Sequence, residues 1–213
     1  MRLLRNEWEV KKIDLSTAKE FICANHYSGG AGNTAVSCFG LYYKRDSSTL
    51  HGVSLWMPPP LGASKSVTEN HSSVISLSRF CLVKERPENS GSFLISQSMK
   101  SLDSRWKHCL TYADTFEEHD GGLYRASNWN YKGMTKKRPV WWDEENKKMV
   151  SQKRADKWFN KSKMLELGYK HLGNFKKHKF VFQLVERKNI QINSRASDEL
   201  IFRADGKILK SGT

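Results

Sequence analysis

The chain reads as an α/β (α+β) protein: a single domain built on a mixed, mostly antiparallel sheet flanked by helices. Three observations predict this. Apolar runs of strand length alternate with amphipathic stretches of helix length, in the order strand, helix, two antiparallel strands, long strand, helix, strand, loop, basic region, strand. Apolar residues fill 38% of 213 positions, which supports a substantial core and is unlike a disordered chain. No repeat, linker or low-complexity segment divides the chain, so residues 1–186 read as one domain followed by a polar extension, 187–213.

Trp8-Glu9-Val10-Lys11-Lys12-Ile13 alternates apolar and charged residues, as a half-exposed strand does. Asp14 or Thr17 can cap the helix that follows, and Thr17 with Glu20 fits a capping box. That helix ends near His26-Tyr27, where Gly29, Gly30 and Gly32 stop it and leave a loop. A His-Tyr pair beside a Gly-rich loop is a site candidate, although on spacing alone a lone histidine there is more often a solvated cap. Thr34 to Tyr43 and His51 to Trp56 read as an antiparallel hairpin turning at Asp46-Ser47-Ser48. Pro58-Pro59-Pro60 ends it, because proline cannot donate to a ladder. Residues 61–72 read as loop. Val74 to Val83 is the longest strand candidate and is expected at the centre of the sheet. A helix follows from about Phe93 to Leu102, with Asn89 or Ser90 available as its cap.

The segment Thr111 to Gly133 organises the rest. Cys109 to Ala113 is short and apolar enough for a buried strand, and Asp114 stands where it should stop. A polar loop turns at Gly121-Gly122, and Tyr124, Arg125, Asn128, Trp129, Asn130 and Tyr131 crowd behind it. Functional groups gather at the carboxyl ends of strands in open α/β sheets, so this string reads as a site. After Gly133 the composition changes. Residues 132–179 hold 15 Lys or Arg against 5 Asp or Glu, about +10 of the net +14. Aromatic residues are interleaved there, and Gln152 to Leu167 is expected to be helical. Basic side chains neutralise phosphates and aromatics stack on bases, so Lys136, Lys137, Arg138, Lys153, Arg154 and Lys157 are the nucleic-acid-binding candidates. A last strand spans Lys179 to Glu186, and Asp205-Gly206 is a hairpin signal within the extension.

Charge and cysteines bound the function. A pI near 9.7 suits a polyanionic partner, and the absence of an amphipathic anchor or lipidation motif favours nucleic acid over a membrane surface. No apolar run approaches a membrane span and the first residues are charged, so a cytoplasmic protein is expected. Cys23, Cys38, Cys81 and Cys109 form no Cys-x-x-Cys pair, and each reads as a buried, reduced thiol.

Tyr112-Ala113-Asp114, then Gly122-Leu123-Tyr124-Arg125-Ala126-Ser127-Asn128-Trp129, then Tyr131-Lys132-Gly133, resembles the signature of the bacteriophage Mom family. The His26-Tyr27 pair and the Trp56-Met57-Pro58-Pro59 element are similar to that family too, and the resemblance spans roughly residues 8–186. It implies a fold like that of the GNAT acyltransferases and transfer of a carbamoylmethyl-type group to N6 of adenine in double-stranded DNA, hiding phage DNA from host restriction enzymes. It implies iron, for which His26, Asp114 and Tyr124 supply imidazole, carboxylate and phenolate. Tyr27 and Tyr124 join Asp114 as catalytic candidates, with Asp114 a general base if it is not a ligand. A GNAT-like fold would seat a pyrophosphate at the helix start near Asn89 and Ser90, with Arg125 as a phosphate partner. The glycine-rich consensus of ordinary GNAT enzymes is missing there, which leaves the donor unidentified and a coenzyme A derivative in question. Two other readings compete: an ordinary GNAT N-acyltransferase using acetyl-CoA on a small amine or protein, and a non-enzymatic basic DNA-binding protein.

Overall fold

The computed structural model describes residues 2–154 and 157–184. The hairpin signal at Asp205-Gly206 and the side chains of Lys153, Arg154 and Lys157 lie outside the described residues.

A seven-stranded sheet runs in the order β1 (Trp8–Ile13), β2 (Ser37–Tyr43), β3 (Asp46–Met57), β4 (Val74–Leu82), β5 (His108–Asp114), β12 (Lys177–Gln183), β6 (Asn130–Met134). Every neighbouring pair is antiparallel except β4 and β5. The expected long strand, β4, is its middle member. The alternation in the sequence sends one set of side chains to each face. On one face Phe39, Leu41, Trp56, Ile75, Cys109, Ala113 and Phe180 meet Leu94 and Ile95 of α3 (Ser90–Lys100). On the other, Cys38, Val53, Leu55 and Cys81 meet Ala18 and Ile22 of α1 (Leu15–Asn25). A buried polar chain ties α3 to β3: Ser54 and Ser98 share a 2.7 Å hydrogen bond, and Trp56 donates its indole N–H to Ser54.

Several local expectations are corrected. Asp14, not Thr17, caps α1, because its carboxylate accepts both the backbone N–H and the hydroxyl of Thr17 at 2.8 Å. The hairpin turns at Lys44-Arg45, and Asp46 instead opens the return strand by accepting from Ser48 and Thr49. Residues 61–72 contain α2 (Leu61–Lys65) and begin a 3-10 turn, His71–Ser73. Cys23 is exposed, since it lies off the Ala18–Ile22 stripe of α1, while the other three thiols are free and buried.

The basic region holds a second, three-stranded sheet, with β7 (Arg138–Asp143) between β11 (Lys170–Phe175) and β8 (Lys148–Val150). The helix expected over Gln152 to Leu167 is only α5 (Lys161–Glu166). Before it, β9 (Lys153–Arg154) and β10 (Lys157–Trp158) pair as a short antiparallel ribbon. Asn160 decides this start, because its side chain accepts the Lys163 N–H at 2.9 Å and caps the helix there.

Candidate active site

The site begins with a fault in the sheet. β4 and β5 are partners only over Val74–Ser76 and His108–Leu110. Beyond Ser76, β4 stays with β3 and β5 stays with β12, so the two parallel strands splay. The Thr111 hydroxyl bonds to the Leu77 carbonyl at 3.2 Å near the apex of the gap. A cleft of about 760 Å³ opens from there, walled by Leu77, Ser78 and Phe80 on one limb and by Tyr112 and Ala113 on the other.

The first turn of α3 closes one end of the cleft. Asn89, in the left-handed region at φ 68°, Ser90 and Ser92 line it, and Lys84 and Arg86 stand in the loop just before. The Ser90 hydroxyl donates to the Pro87 carbonyl at 2.7 Å, and no side-chain hydrogen bond caps the helix. Unpaired N–H groups and the helix dipole make such a turn receptive to anions. Asn89 and Ser90 are thus in the cleft, as the sequence suggests. Lys84 and Arg86 escape notice in the sequence because they carry no motif.

The other end of the cleft carries rings. Tyr27 stacks on His26 at 4.2 Å and meets His119 edge-on at 5.9 Å. All three line the cleft. Nδ1 of His26 lies 3.1 Å from the Ser28 nitrogen and 2.8 Å from the Ser28 hydroxyl, which donates to the Gly30 carbonyl. Arg79 donates to the same carbonyl at 2.9 Å, which fixes the glycine loop. Burial, aided by Arg79 and His119, lowers the His26 pKa to about 4. The ring is therefore neutral near pH 7. Desolvation, and then the negative charges of Asp114 and Glu117, push the Tyr27 phenol up to about 12, so it is a hydrogen-bond donor. His119 gives no signal in the sequence, being a lone histidine in a polar loop. Its backbone N–H donates to the Asp114 carbonyl, and that bond sets its position.

Asp114 sits elsewhere than expected. It ends β5, and its carboxylate turns away from the cleft lining to cap the 3-10 turn Thr115–Glu117. One oxygen accepts the Phe116 N–H at 3.1 Å, and the other forms a 2.6 Å ion pair with Lys177. Tyr124 does line the cleft, on α4 (Gly122–Ala126), but its ring packs against Phe180 and Trp129. Burial raises its pKa, and a hydrogen bond with Thr111 opposes the rise. Gly121 allows α4 to start here, at φ 81°. A Cβ at that position would lie 2.3 Å from the Phe180 ring. Arg125 lies outside the cleft lining, over the Tyr131 and Phe180 rings at 5.3 Å, and donates to the Asp120 carbonyl at 2.5 Å.

His26, Asp114 and Tyr124 do not fit an iron ligand set in this arrangement. His26 engages Ser28 through Nδ1, so Nε2 is its free ring nitrogen, but the other two residues do not join it. Both Asp114 oxygens are engaged, and Tyr124 is held as a neutral phenol. Among the described residues no group of three or more His, Cys, Asp or Glu side chains is placed to hold a metal ion.

Of the expected nucleic-acid contacts, Lys136 and Lys137 are exposed between β6 and β7, and Arg138 is exposed at the start of β7. Trp158 is 64% exposed, an unusual state for an indole. Among the described residues no helix is long and apolar enough to cross a membrane.

Two solved structures show the same fold. NAA60 of Arabidopsis thaliana in complex with acetyl-CoA superposes with a TM-score of 0.52 at 9% identity, over 83% of this chain and 98% of that one. The smu.2055 protein of Streptococcus mutans UA159 gives a TM-score of 0.50 at 9% identity, over 82% and 98%. No curated protein matches the chain. The frame is that of the GNAT acetyltransferases, a mixed α/β single domain. The model of the Mom protein family matches residues 7–198, nearly the whole chain. This chain belongs to the Mom protein family, transferases that modify phage DNA on a GNAT-like frame.

Proposed function

We propose that the protein transfers a carbamoylmethyl-type group to the N6 amine of adenine in double-stranded DNA, so that restriction enzymes no longer act on it. The observation that carries this reading is the splayed cleft of a Mom-family chain, which runs from an anion-receptive helix turn to a cluster of polar rings. The donor lies with its carrier along the first turn of α3, beside Lys84 and Arg86, and its reactive carbon reaches His26, Tyr27 and His119. N6 attacks that carbon and a nitrogen–carbon bond forms. The carrier departs with the electron pair of the bond that breaks, and N6 gives up one proton. The lone pair of an adenine amine is delocalised into the ring, so it needs help from a base. His119 takes the proton, and Tyr27, a neutral phenol, donates to the carbonyl of the transferred group. Asp114 is a positioning residue: it holds Lys177 and the turn that presents His119. Exposed Lys136, Lys137 and Arg138 fasten the DNA backbone.

Nucleosides digested from DNA of cells expressing the chain test the reading by mass spectrometry. A deoxyadenosine carrying the added group is expected. Unaltered deoxyadenosine in every digest, from folded protein, overturns it. A second reading, acylation of an amine from acetyl-CoA, draws on the same cleft and on the acetyl-CoA held by the Arabidopsis neighbour. It predicts an acetylated small amine or protein instead, with the DNA unchanged.

A further inference from the structure

Tyr27 is a wall between two cavities. Behind it, away from the donor cleft, lies a second space of about 320 Å³ lined by Phe116, Glu117, Trp142, Glu144, Met149 and Leu172. The first two belong to the turn after β5. The others come from β7, β8, β11 and the turn after β7, so the second sheet supplies most of the lining. We propose that this cavity seats the acceptor base, an adenine turned out of the duplex, with its N6 amine directed past Tyr27 toward the donor. The proposal rests on the transfer reading for its chemistry and names the substrate site within it.

Four features of the cavity fit a purine. Two aromatic side chains, a methionine and a leucine offer the flat, polarisable walls on which extruded bases stack. The volume falls in the ~300–1,000 Å³ range of small-molecule sites. The acids supply what an exocyclic amine seeks, an acceptor. Glu144 is already bridged to Lys147 at 3.2 Å and Lys170 at 3.8 Å, which leaves Glu117 as the acceptor for N6–H. Desolvation and the neighbouring Asp114 raise the Glu117 pKa, so its carboxylate is a stronger acceptor than an exposed one. The sheet is also shaped for the task. The β7–β11 register slips between His171 and Gly173, with Gly173 at φ 126°, and this bulge brings Leu172 to the cavity wall. Around the rim, Lys147, Lys170 and Lys177 keep about half or more of their side chains in solvent, at 72%, 64% and 47%. A polyanion meets cations outside and its base meets aromatics and a carboxylate inside.

The test uses a duplex containing 8-azido-deoxyadenosine opposite a mismatch, irradiated with the full chain and mapped by peptide mass spectrometry. Adducts are expected on Phe116, Trp142 or Met149. Adducts confined to residues 77–92 or to Lys136–Arg138, or none at the cavity, overturn the proposal. Leu172→Trp fills the cavity from its bulge. It is expected to cut modified deoxyadenosine at least tenfold while duplex affinity stays within twofold, and undiminished modification overturns the proposal. If that variant fails to fold, the cross-link map decides alone. The two readings fail separately. Cavity adducts without any modified nucleoside keep the base site and remove the transfer reading. Modified nucleoside with adducts elsewhere does the reverse.

Discussion

The seven-stranded sheet and the three-stranded sheet are built on opposite principles. The seven-stranded sheet is covered on both faces over its central strands, and β2 and β4 are buried along most of their length. The three-stranded sheet keeps Trp141 and Asp143 buried, and most of its other residues are half-exposed or exposed. Asp143 spends its carboxylate on the backbone and side chain of Asn146, both at 3.0 Å, to fasten the β7–β8 turn. Hydrophobic burial therefore specifies the frame, while local polar bonds and one indole specify the part that carries the charge. A surface bearing many lysines cannot be covered, and so it cannot draw stability from burial.

Leu94→Ala is expected to have the largest effect. Leu94 is fully buried where α3 meets the sheet, so its truncation should cost ~2–5 kcal/mol in one cooperative urea transition. Trp141→Ala is its counterpart in the small sheet. Hydrogen exchange should show β7, β8 and β11 losing protection while β2–β4 keep theirs, and equal loss in both sheets would erase the distinction. Gly121→Ala should come next, at ~1–3 kcal/mol by thermal melting, from the positive φ and the Phe180 ring.

Replacing Lys136, Lys137 and Arg138 together by Ala should leave the melting temperature nearly unchanged. It should flatten the salt dependence of DNA affinity by up to ~0.9 in log–log slope for each phosphate that the variant no longer neutralises. An unchanged slope would show that the charge of the small sheet serves something other than DNA. The last effect is a pH dependence, felt only below neutral pH. The unfolded chain protonates His26 near 6.5, whereas the folded site resists until about 4. Stability from this group is therefore full above pH 6.5 and declines as pH falls toward 4. His26→Gln should remove that part of the slope in melting curves taken between those values.

The frame is legible because burial leaves a period in the sequence. The runs at Val74 and Cys109, the His26–Tyr27 pair at a helix end and the Gly121-Gly122 turn all stand where the pattern puts them. What escapes is set by partners distant in the chain. Nothing around Asp114 announces that Lys177 will claim one of its oxygens, or that the turn after it will claim the other. His119 matters through its neighbour Tyr27, which arrives from the first helix. The helix expected from Gln152 begins later because density of charge is not amphipathic pattern, and Asn160 carries the real start signal. The cavity behind Tyr27 draws on four separate segments, and no window of sequence contains it.

The splay between β4 and β5 also divides the chain in time. On one side, β1 through β4 are joined by antiparallel pairings of strands that follow one another in sequence. On the other, β5 must find β12 across the whole basic region, pairing Lys177 with Asp114. Closing so long a loop is entropically costly and slows the contacts that depend on it. The first half of the sheet can thus form as a local meander, and the limb that completes the cleft arrives last, so a chain interrupted on its way to the native state has a core before it has a site.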